Sequence, residues 1–231
     1  VRILALDTAT ENCSAALLID GQLSAREQLL GRGHAEHILA MTDELLQEAG
    51  VSLGALSAIA FGCGPGAFTG VRLAASVTQG LAYGAGLAVV PVSDLRALAQ
   101  RVLDLDLGVS RVLVCNDARM HEVYWGCFER APGGFAAAGS EERVGPPAAV
   151  RLPAGWSGGV HATGSGFAAY PELHAELDPH LERVHEGLLP RAAEIARLAL
   201  PEVQAGRILP AEQALPVYLR NEVAHVSGQS H

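Results

Sequence analysis

The sequence predicts an α/β protein built from two similar halves, and three observations carry that prediction. An apolar run ending in aspartate occurs twice, at Arg2-Ile3-Leu4-Ala5-Leu6-Asp7 and at Arg111-Val112-Leu113-Val114-Cys115-Asn116-Asp117. After each aspartate come a few polar residues and a second apolar run, Cys13 to Ile19 and Val123 to Phe128. Each second run then meets a turn signal, Asp20-Gly21 in the first half and Pro132-Gly133-Gly134 in the second. Strand, tight polar turn, strand and hairpin together open an RNase-H-like half. Two such halves make the actin/Hsp70/sugar-kinase fold, in which the aspartate-ended turns of both halves face a shared cleft.

The remaining elements follow in order. Between Gly33 and Gly50, residues Ile38, Leu39, Thr42, Leu45, Leu46 and Ala49 fall on one helical face, and Gly50 stops the helix. Ser57 to Phe61 reads as a short buried strand, and Gly62 to Gly66 as a turn. Phe68 to Tyr83 is helical in period and rich in small residues. Leu87 to Val92 is a further strand, after which Ser93 can cap a helix from Asp94 to Leu103. Glycine, proline and alanine dominate residues 131–160, which read as strands joined by long loops. Val160 to Gly166 ends a strand and turns, and Pro190 opens a helix running to Leu200. The boundary between halves falls near 104–110, giving an N-terminal RNase-H-like domain over 1–105 and a C-terminal one over 106–231.

Composition narrows the function. The chain has 231 residues, 49% of them hydrophobic, enough to fill the cores of two domains of roughly 100 residues each. No apolar stretch reaches the length of a membrane span, and the opening run is too short for a signal-peptide core, so a cytoplasmic protein is expected. The four cysteines form no CxxC pair and no metal-ligand spacing, and read as core thiols. Net charge is −9 and no lysine occurs. That balance argues against a chain that grips a nucleic-acid backbone alone.

Candidate chemistry is sparse. Gly64-Pro65-Gly66-Ala67-Phe68-Thr69-Gly70 joins a strand to a helix, where glycines and a helix N-terminus can hold an anion. The same glycines can equally serve a tight turn and close helix packing. Asp7, Thr8 and Thr10, with Asp117 and Arg119, would line the cleft and orient a nucleotide or Mg²⁺, or else cap their turns. Thr163-Gly164-Ser165-Gly166 hints at an adenosine motif through Gly164 and Gly166. His34 and His37 share a helix face but have no third metal ligand beside them, and no His/Asp constellation or Gly-x-Ser-x-Gly elbow occurs. The residues describe a duplicated fold whose cleft lacks a credible catalytic set.

Five segments are more specific when taken in order: Ile3 to Thr10, Gly64 to Arg72, Pro91 to Leu95, Asp117-Ala118-Arg119-Met120 with Glu122-Val123-Tyr124, and Pro216 to Arg220. Together they resemble the TsaB (YeaZ) family across residues 2 to about 225. The resemblance implies a non-catalytic subunit of the machinery that forms N6-threonylcarbamoyladenosine (t6A) at position 37 of tRNA. Its partners would be the catalytic sister TsaD, which it pairs with and activates, and the small ATPase TsaE. It would need no cofactor of its own, with ATP or ADP held at an interface of the complex, and would meet tRNA only through the complex. TsaD carries a His-x-x-x-His metal pair, which falls on Asp94 and Leu98 of this chain; leucine cannot bind a metal, so no metal is expected.

The same resemblance points to the first two helices as the partner surface, through His34, Ile38, Leu45, Gly70, Val71, Ala74, Val77 and Leu81. Small residues there permit close helix approach, and the larger ones recur on more than one face. That stripe would also support a homodimer when the sister is missing. The competing readings are an ATP-dependent small-molecule kinase of the same fold, and a protease, for which no nucleophile–base pair is evident.

Overall fold

In the computed structural model, which describes residues 1–219, the chain first lays down a hairpin-based sheet. Strands β1 (Arg2–Asp7), β2 (Asn12–Ile19) and β3 (Gln22–Leu29) form an antiparallel meander. Helix α1 (His34–Ala49) then crosses to β4 (Ala58–Gly62), and α2 (Phe68–Ala85) to β5 (Ala88–Val92). Both β4 and β5 run parallel to β1, so the sheet order is β3-β2-β1-β4-β5. The inner strands are apolar because both faces are covered, whereas β3 is an exposed edge carrying Arg26 and Glu27.

After α3 (Asp94–Leu105) the plan repeats. The second sheet holds β6 (Arg111–Arg119), β7 (Glu122–Arg130), β8 (Ala136–Ala138), β9 (Arg143–Gly145), β10 (Val160–Thr163) and β11 (Leu181–His185). Between β10 and β11 lie α4 (Gly166–Ala169) and α5 (Glu172–Leu177), and α6 (Ala192–Gln204) follows. The order is β11-β10-β6-β7-β8, with β9 also pairing β7. In each sheet the first strand is central, the second pairs it antiparallel, and the fourth of the plan pairs it parallel. Strands β1 and β6 lie in different sheets. This is the RNase-H-like arrangement twice, the two-lobed actin-like fold.

The packing is less divided than the sequence. Helices α3 and α6 lie in one core shared by both sheets. Leu95, Leu98, Val102 and Ile195 meet Ile3 and Ala5 of β1 and Val112 and Val114 of β6 there. Helix α6, assigned by sequence to the C-terminal domain, packs on β1, β2, β4 and β5 of the first sheet. Ser14 and Asn12 of β2 fix its start: Ser14 Oγ accepts from the Ala192 N–H (2.9 Å), and Asn12 Nδ2 donates to the Pro190 carbonyl (3.2 Å). Pro190 therefore stands in the connection, and the helix begins two residues later. Leu209 then pairs with Val89 of β5. A boundary near 104–110 separates the sheets along the chain, but residues 192–214 return to the first lobe. Among the described residues no helix is long and apolar enough to cross a membrane.

Candidate functional site

The carboxyl end of the first sheet is tightly closed. Asp7 terminates β1 and is fully buried; its Oδ1 accepts from the Ala9 N–H at 2.8 Å, closing the turn to β2. Thr8 is also buried, and its hydroxyl donates to the Gly70 carbonyl (2.7 Å). Thr10 Oγ1 accepts from the Asn12 N–H (3.2 Å), while His34 Nε2 contacts the Thr10 carbonyl at 3.0 Å. The Gly64–Gly70 segment lies directly against this turn, and the Ala67 N–H donates to the Ala9 carbonyl (2.8 Å). A Cβ on Gly66 would stand 2.7 Å from that carbonyl oxygen, and one on Gly70 would overlap the Thr8 carbonyl oxygen. The glycines here serve close packing of α2 on the β1–β2 turn.

Sequence reasoning missed the partner of Asp7. Asp94, the first residue of α3, is also fully buried, and its Oδ2 accepts from the Gly64 N–H (2.5 Å). Burial pushes the Asp7 carboxyl up to about 6 despite hydrogen bonds that favour its ionised form. Burial, and then the neighbouring Asp7 charge, push Asp94 well above the usual carboxylate range. In sequence Asp94 looks like an ordinary first-turn acid behind the Ser93 cap, and Ser93 does accept from the Arg96 N–H at 3.2 Å. The one available signal was a second aspartate directly after a strand of the same sheet.

The second lobe repeats the closure. Asp117 Oδ1 accepts from the Arg119 N–H and from the Tyr170 hydroxyl, each at 2.8 Å, and Arg119 pairs with Oδ2 at 3.2 Å. Asn116 accepts from the Ser165 N–H, and Ser165 Oγ accepts from the Asp117 N–H (3.0 Å). Gly166 lies against the Cys115 carbonyl, 2.8 Å from where its Cβ would be, and Gly164 adopts φ +116° beside the same group. Arg119, Met120 and His121 all take left-handed backbone angles at the β6–β7 hairpin tip. His121 there pairs with Glu172 at 3.1 Å. Asp7, Thr8 and Thr10 thus bond within one lobe, and Asp117, Arg119, Gly164 and Gly166 within the other.

The helix pair α1–α2 requires a correction. Ile38, Leu45, Val71 and Ala74 are buried, with Ile38 and Leu45 in the core beneath these helices. They face the chain's own sheet, because that sheet already covers the most apolar stripe. Val77 and Leu81 are only partly buried, as are His34 and Gly70. The outward face instead presents Leu39 (49% exposed), Phe68 (63%) and Tyr83 (72%). Leu39, Leu46, Leu53 and Leu81 line a groove of about 460 Å³ between α1, the 50–53 turn and α2.

The four cysteines and one histidine pair elsewhere are inert or committed. Burial pushes the Cys13 and Cys127 thiols up to about 11, and raises those of Cys63 and Cys115 as well. His161 Nδ1 and His185 Nε2 lie 2.8 Å apart and spend themselves on each other. Among the described residues no group of three or more His, Cys, Asp or Glu is placed to hold a metal ion.

Two relatives match nearly the whole chain. The chain is 42% identical over 225 residues to the tRNA threonylcarbamoyladenosine biosynthesis protein TsaB of Escherichia coli, covering 97% of this chain and 96% of that protein. The chain belongs to the TsaB (YeaZ) family. The Haemophilus influenzae TsaB is 38% identical over 229 residues, covering 96% of this chain and 94% of that protein. The family model described as TsaD, tRNA N6-adenosine threonylcarbamoyltransferase, matches residues 28–161. Among solved structures, a Pseudomonas aeruginosa protein described as uncharacterized with similarity to peptidase YEAZ superposes with TM-score 0.88 at 44% identity. That match covers 95% of this chain and 99% of the other. YeaZ from Pseudomonas aeruginosa gives 0.83 at 42% identity, covering 94% and 99%.

Proposed function

We propose that this chain is the non-catalytic subunit of a t6A-forming complex, pairing with and activating a TsaD-type transferase. One observation carries the non-catalytic reading. Where the catalytic sister has its two metal-binding histidines, this chain has Asp94, buried against Asp7, and Leu98, buried in the inter-sheet core. The relatives' name for the pathway supports the role in tRNA modification. A cytoplasmic setting, a TsaE-type ATPase as third partner, and tRNA contact through the complex alone belong to the same reading.

The outward face of α1 and α2 is the proposed docking surface, for the sister or for a second copy of this chain when it is alone. Leu39, Phe68, Leu73, Val77 and Leu81 offer apolar contacts there, and Gly80 and Gly84 on the exposed side of α2 let a partner helix approach closely. Burying one leucine at such a contact contributes about 1.5–3 kcal/mol, a large share of the ~8 kcal/mol of a micromolar complex. The test is t6A synthesis reconstituted with and without this chain, and co-elution with the sister. Leu81→Glu should abolish both while remaining folded; Arg183→Glu, on exposed β11, should not. Threonylcarbamoyl transfer to tRNA by this chain alone would overturn the reading.

A further inference from the structure

The least expected group in the molecule is the pair of carboxyls beneath the Gly64–Gly66 turn. Asp7 and Asp94 are both fully buried. Each has one oxygen that accepts a backbone N–H, from Ala9 in one case and Gly64 in the other. Their other oxygens, Asp7 Oδ2 and Asp94 Oδ1, have no protein donor. The two side chains converge above Gly62: a Cβ placed there would lie 2.8 Å from Asp7 Oδ1 and 2.5 Å from Asp94 Oδ1. Two fully ionised carboxylates cannot occupy such a site without a compensating cation, because each would face the other's charge in a water-free interior. A proton on one of them removes that repulsion and turns a carboxyl oxygen without a donor into a donor toward its neighbour.

We propose that Asp7 and Asp94 share one proton at neutral pH, and that this proton latches the β1–β2 turn, the Gly64 turn and the start of α3 to one another. Asp94 is the proton's holder. It lies deepest in the field of other acids, feeling Asp7 and then Glu142, and donates to Asp7. The other titratable groups facing the pair are His34 from α1, which draws Asp7 toward ionisation, and the thiols Cys13 on β2 and Cys63 before the turn. Glu142 is itself turned toward the Ser93 hydroxyl and Arg96, and is raised by burial. The latch spans segments distant in sequence, and one of them, the Gly64 turn, sets the start of α2.

The sign of the pH effect follows from linkage. Both carboxyls hold protons more tightly folded than unfolded, where an aspartate titrates near 3.8. Their stabilising contribution is therefore full below about 4 and is lost as pH rises, first through about 6 as Asp7 ionises and then further up as Asp94 does. Asp94→Asn reproduces the proton-holding state permanently: its amide oxygen can accept from Gly64 and its amide nitrogen can donate to Asp7.

The experiment is thermal unfolding of the full chain at pH 5 and pH 8, for wild type, Asp94→Asn and Asp7→Asn, with infrared spectra at pH 7. Wild type should lose stability between the two pH values, and Asp94→Asn should shrink that loss by about 8–16 °C in Tm, one proton's linkage over three pH units for a chain of this size. The wild-type infrared spectrum should contain a protonated carboxylic-acid carbonyl band that Asp94→Asn lacks. Should Asp94→Asn fail to fold, Asp7→Asn is the second test: it should lose the part of the pH dependence that lies near 6, because Asp94 alone then titrates, held up by burial. Equal pH dependence in all folded variants, or no protonated-acid band in wild type, would overturn the proposal. So would a rise in the pH 8 Tm on adding Mg²⁺ or Ca²⁺ that depends on both aspartates, which would place a cation between the carboxyls instead.

Discussion

Gly70 and Gly80 sit on the same helix, and the same substitution should have opposite effects at the two positions. A Cβ at Gly70 would overlap the Thr8 carbonyl oxygen and lie 3.0 Å from its carbon and 3.3 Å from the Ala9 Cα. These are backbone atoms of the β1–β2 turn, whose position is fixed by the Asp7–Ala9 and Ala9–Ala67 hydrogen bonds, so neither side can yield cheaply. Relief needs a shift of about 1 Å, which in a packed interior costs ~1–3 kcal/mol. The Thr8–Gly70 hydrogen bond is lost with it, for about another 1 kcal/mol. Replacing a helical glycine by alanine returns ~1 kcal/mol, leaving Gly70→Ala about 1–3 kcal/mol less stable. For a chain of this length that is a Tm drop of about 2–12 °C. At Gly80 nothing lies within 4 Å of the added Cβ, so only the propensity gain remains and Tm should rise by about 2–4 °C. Calorimetry of both variants checks the pair. A Gly70→Ala protein as stable as wild type would show that α2 does not bear on the β1–β2 turn as described.

Three further outcomes follow. Native protein at pH 8 should resist thiol reagents at all four cysteines and react fully once unfolded, because burial suppresses every thiolate; rapid labelling of a native cysteine would contradict the core. Arg130 donates to the carbonyls of Val109 (2.8 Å), Leu103 (2.6 Å) and Asp106 (2.9 Å), tying the end of α3 to the second sheet. Lysine cannot reproduce that fork, so Arg130→Lys should cost about 2 kcal/mol in a denaturant titration. Ile38→Glu should fail to fold, since Ile38 is in the core beneath α1, whereas Leu81→Glu should give a native circular-dichroism spectrum.

Local pattern made much of the fold legible. The two aspartate-ended runs are the central strands of two sheets with the same strand order, and Gly50 and Ser93 bound their helices where turn and cap chemistry places them. What escaped was partner choice. Periodicity in Ala192–Gln204 identifies a helix with an apolar face, but not that this face meets the first sheet. Two bonds from β2, a strand far away in sequence, decide it. Four residues expected on the outward α1–α2 face, Ile38, Leu45, Val71 and Ala74, are buried for a related reason: apolar residues on several sides of α2 do not say which side the sheet takes. Only coordinates separate Val71 and Ala74, turned inward, from Phe68 and Tyr83, turned out. Asp7 was singled out as a cleft residue because strand-end aspartates often face ligands. It is buried instead, beside Asp94, which sequence spacing does not connect to it.

The two lobes share one further property, and it bears on nucleotide binding by the isolated chain. In each lobe the glycine turn after the fourth strand of the plan lies in backbone contact with the first strand or the turn it leads into. Gly66 and Gly70 meet Ala9 and Thr8, while Gly164 and Gly166 meet Cys115. Those turns carry the residues that the sequence marks as nucleotide-binding candidates. Here the Ala67 N–H is given to Ala9, the Gly64 N–H to Asp94, and the Ser165 N–H to Asn116. A phosphate entering either place must first displace these bonds and part the turns, so its intrinsic affinity is reduced by the cost of opening. The chain also offers no lysine to follow the phosphates. ATP with Mg²⁺ at 1 mM should therefore move the Tm of the isolated chain by less than about 1 °C. A site with a dissociation constant of ~10 μM would contribute about 2.7 kcal/mol at that concentration, or about 5–10 °C for this length. A shift of that size would mean that at least one pair of turns opens readily. The contacts of Gly66, Gly70, Gly164 and Gly166 would then be one state of a moving site, and nucleotide would bind within the chain rather than where its surface meets a partner.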